Sequence, residues 1–224
     1  MTNYKGSFYN AIRSGCISSA EIVAPYIYDL MKSEINQTDR SSWAKPSVVD
    51  IGCGEGHWAK AFEDLGCRAI GVDGNYVADP VVEFVAADLS KSIPLDELDA
   101  SYDLAISLEV AEHLRESRAD TFIDEFCSLS DNLLFSAAIP NQGGVDHFNE
   151  QWFSSYWLPK FEKNGYKASG ILRFNFWEDE NVEWWYKQNL MFITKNPSNY
   201  PSLYSTEYSK PIDIIHPILW DSRK

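Results

Sequence analysis

Two patterns of apolar residues divide the chain. From about 48 to 138, short continuous apolar runs alternate with stretches of helical spacing. The runs fall at about 48–51, 68–72, 82–86, 102–108 and 132–138. Between them lie a helix over about 56–65, with Gly66 as its C-terminal stop, and a helix in which Phe122, Phe126 and Leu129 recur at core spacing. Buried strands interleaved with helices predict a parallel sheet covered on both faces. Ahead of this region, residues 1–15 read as irregular, with Gly6 and Gly15 as breakers. A helix follows through Ile22, Val23, Tyr26, Ile27, Leu30 and Met31, with Ser18 or Ser19 as candidate N-cap and Pro25 as a kink or the true start. Residues 33–46 are a polar linker. Beyond 140 the pattern changes. A turn at 141–144 leads to an aromatic helix over about 150–164 that Pro159 should distort. Strands are expected at about 168–174 and 188–194, flanking an acidic, tryptophan-rich segment. After Lys195, four prolines and no clear period predict a tail that wraps the surface or meets another subunit. No repeat or long linker divides the chain, so it reads as one domain over 1–224.

Composition narrows the partners. The chain has 224 residues, of which 45% are apolar, enough for one real core. No apolar run reaches the length of a membrane span, and the N-terminus lacks an apolar signal core, so the expectation is a cytoplasmic protein without membrane contact. The net charge is −14. Its excess acid lies in residues 48–140, which hold five basic and 19 acidic residues. Such a surface repels phosphate backbones, so nucleic acid is not an expected partner. The four cysteines form no C-x-x-C pair and have no histidine at zinc-ligand spacing, so they read as reduced thiols.

The chemistry concentrates at Val48-Val49-Asp50-Ile51-Gly52-Cys53-Gly54-Glu55-Gly56. Glycines in a strand-to-helix turn let backbone approach a ligand closely. The spacing Gly52-x-Gly54-x-Gly56 misses both phosphate-reading turns. A dinucleotide turn needs glycine at position 57, which is His57; a P-loop needs glycine at 57 and lysine at 58, which are His57 and Trp58. Asp50, just before the first glycine, is a poor neighbour for pyrophosphate and suits a cationic ligand. Asp73, beside Gly74, can accept ribose hydroxyls, and Asp88, beside Leu89, can reach an adenine edge. All three acids sit at C-terminal ends of predicted strands, where open α/β sheets bind ligands.

Together with Gly71-Val72-Asp73, Ala87-Asp88-Leu89 and Ser107-Leu108-Glu109-Val110-Ala111-Glu112-His113-Leu114, this stretch resembles the class I S-adenosylmethionine-dependent methyltransferases. The resemblance implies a three-layer Rossmann-like fold: a seven-stranded, mostly parallel sheet of order 3-2-1-4-5-7-6 with strand 7 antiparallel. It implies S-adenosyl-L-methionine as cofactor. Asp50, Gly52, Cys53, Gly54 and Gly56 would line its methionine and ribose side, Asp73 and Gly74 the ribose, Asp88 and Leu89 the adenine, and Ser107, Leu108 and Glu109 the methionine and acceptor. Residues 1–47 become an N-terminal cap, 48–140 the cofactor-binding core, 141–195 the acceptor side and 196–224 the tail. A narrower similarity runs through Ser18-Ser19-Ala20-Glu21, Phe135-Ser136-Ala137-Ala138-Ile139-Pro140, His147-Phe148-Asn149-Glu150-Gln151-Trp152 and Trp185-Tyr186-Lys187-Gln188-Asn189-Leu190. These look like a bacterial methyltransferase subgroup that often accompanies sugar-processing genes.

On the acceptor side, His147 is the leading base, with Asp146 and Glu150 beside it to orient the ring. His113, in Glu112-His113-Leu114, is its rival, and a structural role for it is the simpler alternative. Asp146, His147 and Glu150 match no metal motif, so no metal ligand is assigned. Trp184 or Trp185 is a candidate lining residue. The expected reaction is O-methylation of a small polar acceptor, with a sugar or nucleotide-sugar hydroxyl first. A small-amine N-methyltransferase and a catalytically silent cofactor-binding subunit stay open; a nicotinamide-dependent oxidoreductase fails on the glycine spacing. Oligomeric state is not legible.

Overall fold

The computed structural model describes residues 6–34, 45–205 and 211–223. The first element is a long helix, α1 (Gly6–Glu34), followed by β1 (Ser47–Ile51), α2 (His57–Asp64), β2 (Arg68–Asp73), β3 (Glu83–Ala86), β4 (Leu104–Leu108), α3 (Ala119–Leu129) and β5 (Asn132–Ser136). Then come α4 (Leu158–Lys163), β6 (Lys167–Ser169), α5 (Trp184–Asn189), β7 (Met191–Thr194), α6 (Pro201–Tyr204) and α7 (Pro217–Ser222). The seven strands form one sheet of order β3-β2-β1-β4-β5-β7-β6, as expected. β1 is central, with Val49 opposite Ile70 of β2 and Ala105 of β4, all parallel. β7 runs antiparallel to both neighbours, placing Leu134 opposite Phe192 and Ala168 opposite Ile193.

Strand side chains alternate between faces, and that alternation divides the core in two. Val49, Ile51, Val72, Leu133 and Phe135 face α3 and α4, meeting Phe122, Phe126, Trp157 and Phe161. Val48, Leu104, Ile106, Leu134 and Phe192 face the other way, onto Val23 and Ile27 of α1, Trp58 and Phe62 of α2, and Tyr186 of α5. Gly66 ends α2 as expected. It adopts φ 93°, and the Cys67 amide donates to the Phe62 carbonyl at 3.1 Å, a left-handed C-terminal cap.

Four elements differ from the sequence expectation. The helix does not begin near Ser18; α1 runs from Gly6 through Gly15 and carries Pro25 within it. Gly15 is a contact residue, since a Cβ there would meet the Glu183 side chain. Ser19 does not cap its own helix: its Oγ accepts the Glu183 amide at 2.9 Å, at the start of α5. The aromatic helix is shorter than expected: a π-helical turn at Phe153–Trp157 runs directly into α4, and this distortion lies just ahead of Pro159, as the proline predicts. The strand expected over 168–174 ends at Ser169, and a 3₁₀ helix takes Ile171–Asn175. Residues 184–189 are helical, so the last strand begins at Met191. Most of the linker expected over 33–46, and residues 1–5, lie outside the described residues.

Candidate active site

The C-terminal ends of β1, β2, β3 and β4 open into a cavity of about 1130 Å³. Asp50 leads from β1 into a turn in which Gly52, Gly54 and Gly56 have φ of 82°, 54° and 88°, a region that favours glycine. The turn is closed by the Gly52 amide on the Val72 carbonyl at 2.7 Å. A Cβ on Gly52 would lie 2.4 Å from the Val110 side chain, so glycine also allows the turn to seat against the loop after β4. Cys53 packs its sulfur over Gly71, where a Cβ would lie 2.6 Å away.

Asp50 is 3% exposed and its Oδ2 has no hydrogen-bond partner among the described residues. Burial, followed by the charge of Asp73, pushes its carboxyl up to about 8. Asp73 is better provided for. Its Oδ2 accepts the Gly54 amide at 2.7 Å, and its Oδ1 accepts the Gly74 amide at 2.6 Å and the Tyr76 hydroxyl at 2.5 Å. Burial still raises its carboxyl above the ordinary range against those three donors. Asp88 accepts from the Ser90 amide and hydroxyl and pairs with Lys91 at 3.2 Å; the Ser90 bond leads in holding its carboxyl below the usual range. Leu89 is buried and its carbonyl accepts Arg118 Nε. Above the turn, Arg13 of α1 grips Glu55 through Nε at 2.7 Å and Nη2 at 2.5 Å.

The other end of the cavity is built from the loops after β4 and β5. Ser107 is fully buried beneath it, its hydroxyl without a partner among the described residues, and Leu108 is 9% exposed. Glu109, at φ 56°, accepts Gln142 Nε2 at 2.8 Å and Asn189 Nδ2 at 3.0 Å. Burial raises its carboxyl, and the amides of Asn189 and Gln142 and the Ser136 contact oppose that rise. Gln142 Oε1 in turn accepts Gln188 and Asn189 side chains at 3.0 and 2.9 Å. His147 Nδ1 lies 2.9 Å from Glu150 Oε1, and Glu150 also accepts the Asn141 and Gly143 amides. His113 Nδ1 lies 3.2 Å from the Asp146 carbonyl. The two imidazoles meet edge to face at 4.8 Å; burial and then His147 push His113 down to about 4.

The structure thus gathers His147, Glu150 and His113 at one end of the cavity and the three acids and glycines at the other. Arg13, Tyr76 and Gln142 are lining residues that the sequence did not single out, and Asn189 braces Glu109 and Gln142 from behind. They carry no strand-end signature and enter the site only through sheet order and loop path. Trp184 and Trp185 both line the cavity, since a helical start rather than a strand carries them. Trp157 belongs to the core. His57 lies 3.3 Å from Glu55 Oε2. Asp146, considered with His147 and Glu150, turns its backbone rather than its carboxylate toward His113. His216, given no role, is buried under the Trp177 ring.

A sheet of this order, with β7 antiparallel and acids at three strand ends, defines a Rossmann-like methyltransferase. The model of a methyltransferase domain matches residues 26–189, and the chain belongs to that family. Solved structures share the fold. A SAM-dependent methyltransferase from Archaeoglobus fulgidus is 18% identical, with TM-score 0.56 over 85% of this chain and 99% of that one. A SAM-bound amino pentose methyltransferase from Micromonospora echinaspora, involved in calicheamicin biosynthesis, is 12% identical, with TM-score 0.57 over 87% and 99%. Magnesium protoporphyrin IX methyltransferase from Synechocystis PCC 6803, with bound SAM, is 16% identical, with TM-score 0.54 over 83% and 82%. No curated protein sequence matches. Among the described residues, no helix is long and apolar enough to cross a membrane.

Proposed function

We propose that the chain is an S-adenosylmethionine-dependent methyltransferase that O-methylates a small polar acceptor, and that the two ends of the cavity divide donor from acceptor. The observation that carries this is Asp50: a fully enclosed carboxylate with a bare oxygen, facing a turn whose glycines leave room for a ligand and no phosphate-binding spacing. A cation there meets a need that the protein leaves unmet. The donor set fits S-adenosylmethionine on those grounds. Asp50 and Gly52 would hold the charged methionine side. Asp73 would take the ribose in place of the Tyr76 hydroxyl, and Asp88 with Leu89 would border the adenine. When bound, the cofactor supplies an activated methyl group on a sulfonium, so the protein has chiefly to position the acceptor and manage its proton.

His147 is the residue proposed to meet that proton. Glu150 fixes Nδ1 as a donor and leaves the lone pair on Nε2, facing the cavity end beside His113. Trp184 and Trp185 offer aromatic faces that suit a sugar ring. The amino pentose enzyme shows that this fold accommodates a sugar acceptor in another protein, and a sugar or nucleotide-sugar hydroxyl is the first choice here. A small amine is the alternative, favoured by the carboxylates Glu109 and Glu112 at the acceptor end.

Calorimetry with S-adenosylmethionine and S-adenosylhomocysteine tests the donor reading. Both should bind wild type, and Asp73→Ala should weaken them at least about tenfold, the loss of one charge-assisted bond. No binding to wild type, or equal binding by the variant, ends the proposal. A screen of sugar nucleotides, glycans and amines for adenosylhomocysteine production then assigns the acceptor.

A further inference from the structure

We propose that Glu112, His113 and His147 form a binding site for a divalent transition-metal ion at the acceptor end of the cavity. Donor atoms of the three residues lie within 4.8 Å of one another. Glu112 is the independent sign that a ligand belongs there. It is 0% exposed, and neither carboxylate oxygen makes a hydrogen bond of regular geometry among the described residues. A buried carboxylate in such surroundings is strongly disfavoured unless a cation answers it.

The imidazoles are prepared in the way metal ligands are. The Asp146 carbonyl at 3.2 Å sets His113 with its proton on Nδ1, and Glu150 at 2.9 Å does the same for His147. An oxygen behind each ring fixes its orientation, and His147 carries its lone pair on Nε2. A Cβ on Gly144 would lie 2.2 Å from His147 Nε2, so glycine lets the ring pack closely on this loop. The two loops are also stitched together. The Phe148 and Asn149 amides donate to the Glu112 carbonyl at 2.8 and 3.0 Å, so the cluster is held by backbone as well as side chains. Metal bonds of about 2.1 Å put tetrahedral ligands about 3.4 Å apart, so binding would draw these atoms inward by about an ångström. Two imidazoles and one carboxylate suit manganese, iron, cobalt or zinc better than magnesium or calcium.

The site deepens the methyl-transfer reading and rests on it only for its use. With an ion bound, His147 is a ligand and the ion lowers the pKa of an acceptor hydroxyl at an open position. The O–H bond breaks and its proton leaves to water in the cavity. The new O–C bond forms as the donor's C–S bond breaks, leaving a neutral thioether.

Chelator-treated full-length protein is titrated with Mn²⁺ and with Zn²⁺ by calorimetry, alongside Glu112→Gln and His147→Asn. The expected result is one ion per chain in wild type and at least tenfold weaker binding in both variants, with S-adenosylhomocysteine affinity unchanged. Asp73→Ala should show the reverse, weak donor binding and full ion binding. No ion bound by wild type, or equal ion affinity in the variants, overturns the metal site whatever the donor result. Full methyl transfer by chelator-treated enzyme also overturns it, and leaves His147 as the base.

Discussion

At the scale of single residues, the site holds two kinds of acid. Asp73, Asp88 and Glu109 have well-formed hydrogen bonds from the chain itself; among the described residues, Asp50 Oδ2 and both Glu112 oxygens have none of regular geometry. The difference predicts how stability responds to pH. Asp50 in the folded state keeps its proton up to about 8, whereas an unfolded aspartate releases it near pH 4. Unfolding therefore releases a proton across that window, and rising pH favours the unfolded chain. Asp50→Asn removes this term. In denaturant titrations without cofactor, the variant should match wild type near pH 4 and exceed it by about 1–3 kcal/mol near pH 8. A gap that is constant across pH would show that Asp50 is not held protonated. The same variant should bind S-adenosylmethionine more weakly. What was legible in the sequence at this scale was the set of acids and glycines at strand ends, because their chemistry is tied to local spacing. The Gln142–Asn189–Glu109 network was not, because its three members come from the loops after β4 and β5 and from α5, and nothing local marks them as neighbours.

Elements show where local signals yielded to packing. Residues 184–189 carry Trp184, Trp185 and Tyr186, which favour a strand in isolation. They form α5 because the Tyr186 hydroxyl accepts Trp58 Nε1 at 3.1 Å, the rings meet at 4.9 Å, and Ser19 receives the Glu183 amide. Helix α1 crosses Gly15 for a related reason: it needs close approach there, and the face of Val23, Ile27 and Met31 supplies the burial. The β1 and β2 boundaries were readable to within a residue, whereas β4 starts at Leu104 and β5 ends at Ser136, two residues inside the expected runs, because Tyr102, Ala137 and Ala138 are buried without being strand. Ser19→Ala should leave the partly buried Glu183 amide without its acceptor, costing about 1–2 kcal/mol. Denaturant midpoints would register the loss, and amide exchange at 183–187 should rise well above that at β4. Uniform exchange across both segments would mean that Ser19 does not anchor α5.

On the scale of the whole molecule, residues 196–205 and 211–223 pack around the elements that carry Gln142 and Gln188. Arg173 is the hinge pin: 1% exposed, it donates to the carbonyls of Gly170, Gln188 and Ile212 at 2.9, 2.7 and 2.9 Å. The His216 amide donates to Gln188 Oε1 at 2.8 Å, and Arg223 reaches the Gln142 carbonyl at 2.6 Å. The tail's lack of periodicity is explained by these point attachments, which need no amphipathic stripe; Leu203 and Leu219 are its only apolar residues below 9% exposure besides Tyr200 among the described residues. Arg173→Met should destabilise the fold by about 2–5 kcal/mol, since three carbonyls lose a charged donor at once. Guanidinium unfolding measures it, and a change below about 0.5 kcal/mol would show that the tail holds without it.

That attachment bears on the order in which the protein comes into being. Asp50, Asp73 and Asp88 belong to the first hundred residues, and the strands that present them pair largely with one another. Gln188 and Gln142, by contrast, are fastened by residues 216 and 223. On a ribosome adding about 5–20 residues per second, the end of the cavity that holds the three acids can take shape while the end that holds Gln142 still waits for its last ties. On the proposed division of the cavity, a growing chain would then be able to hold a methyl donor before it can choose what to methylate.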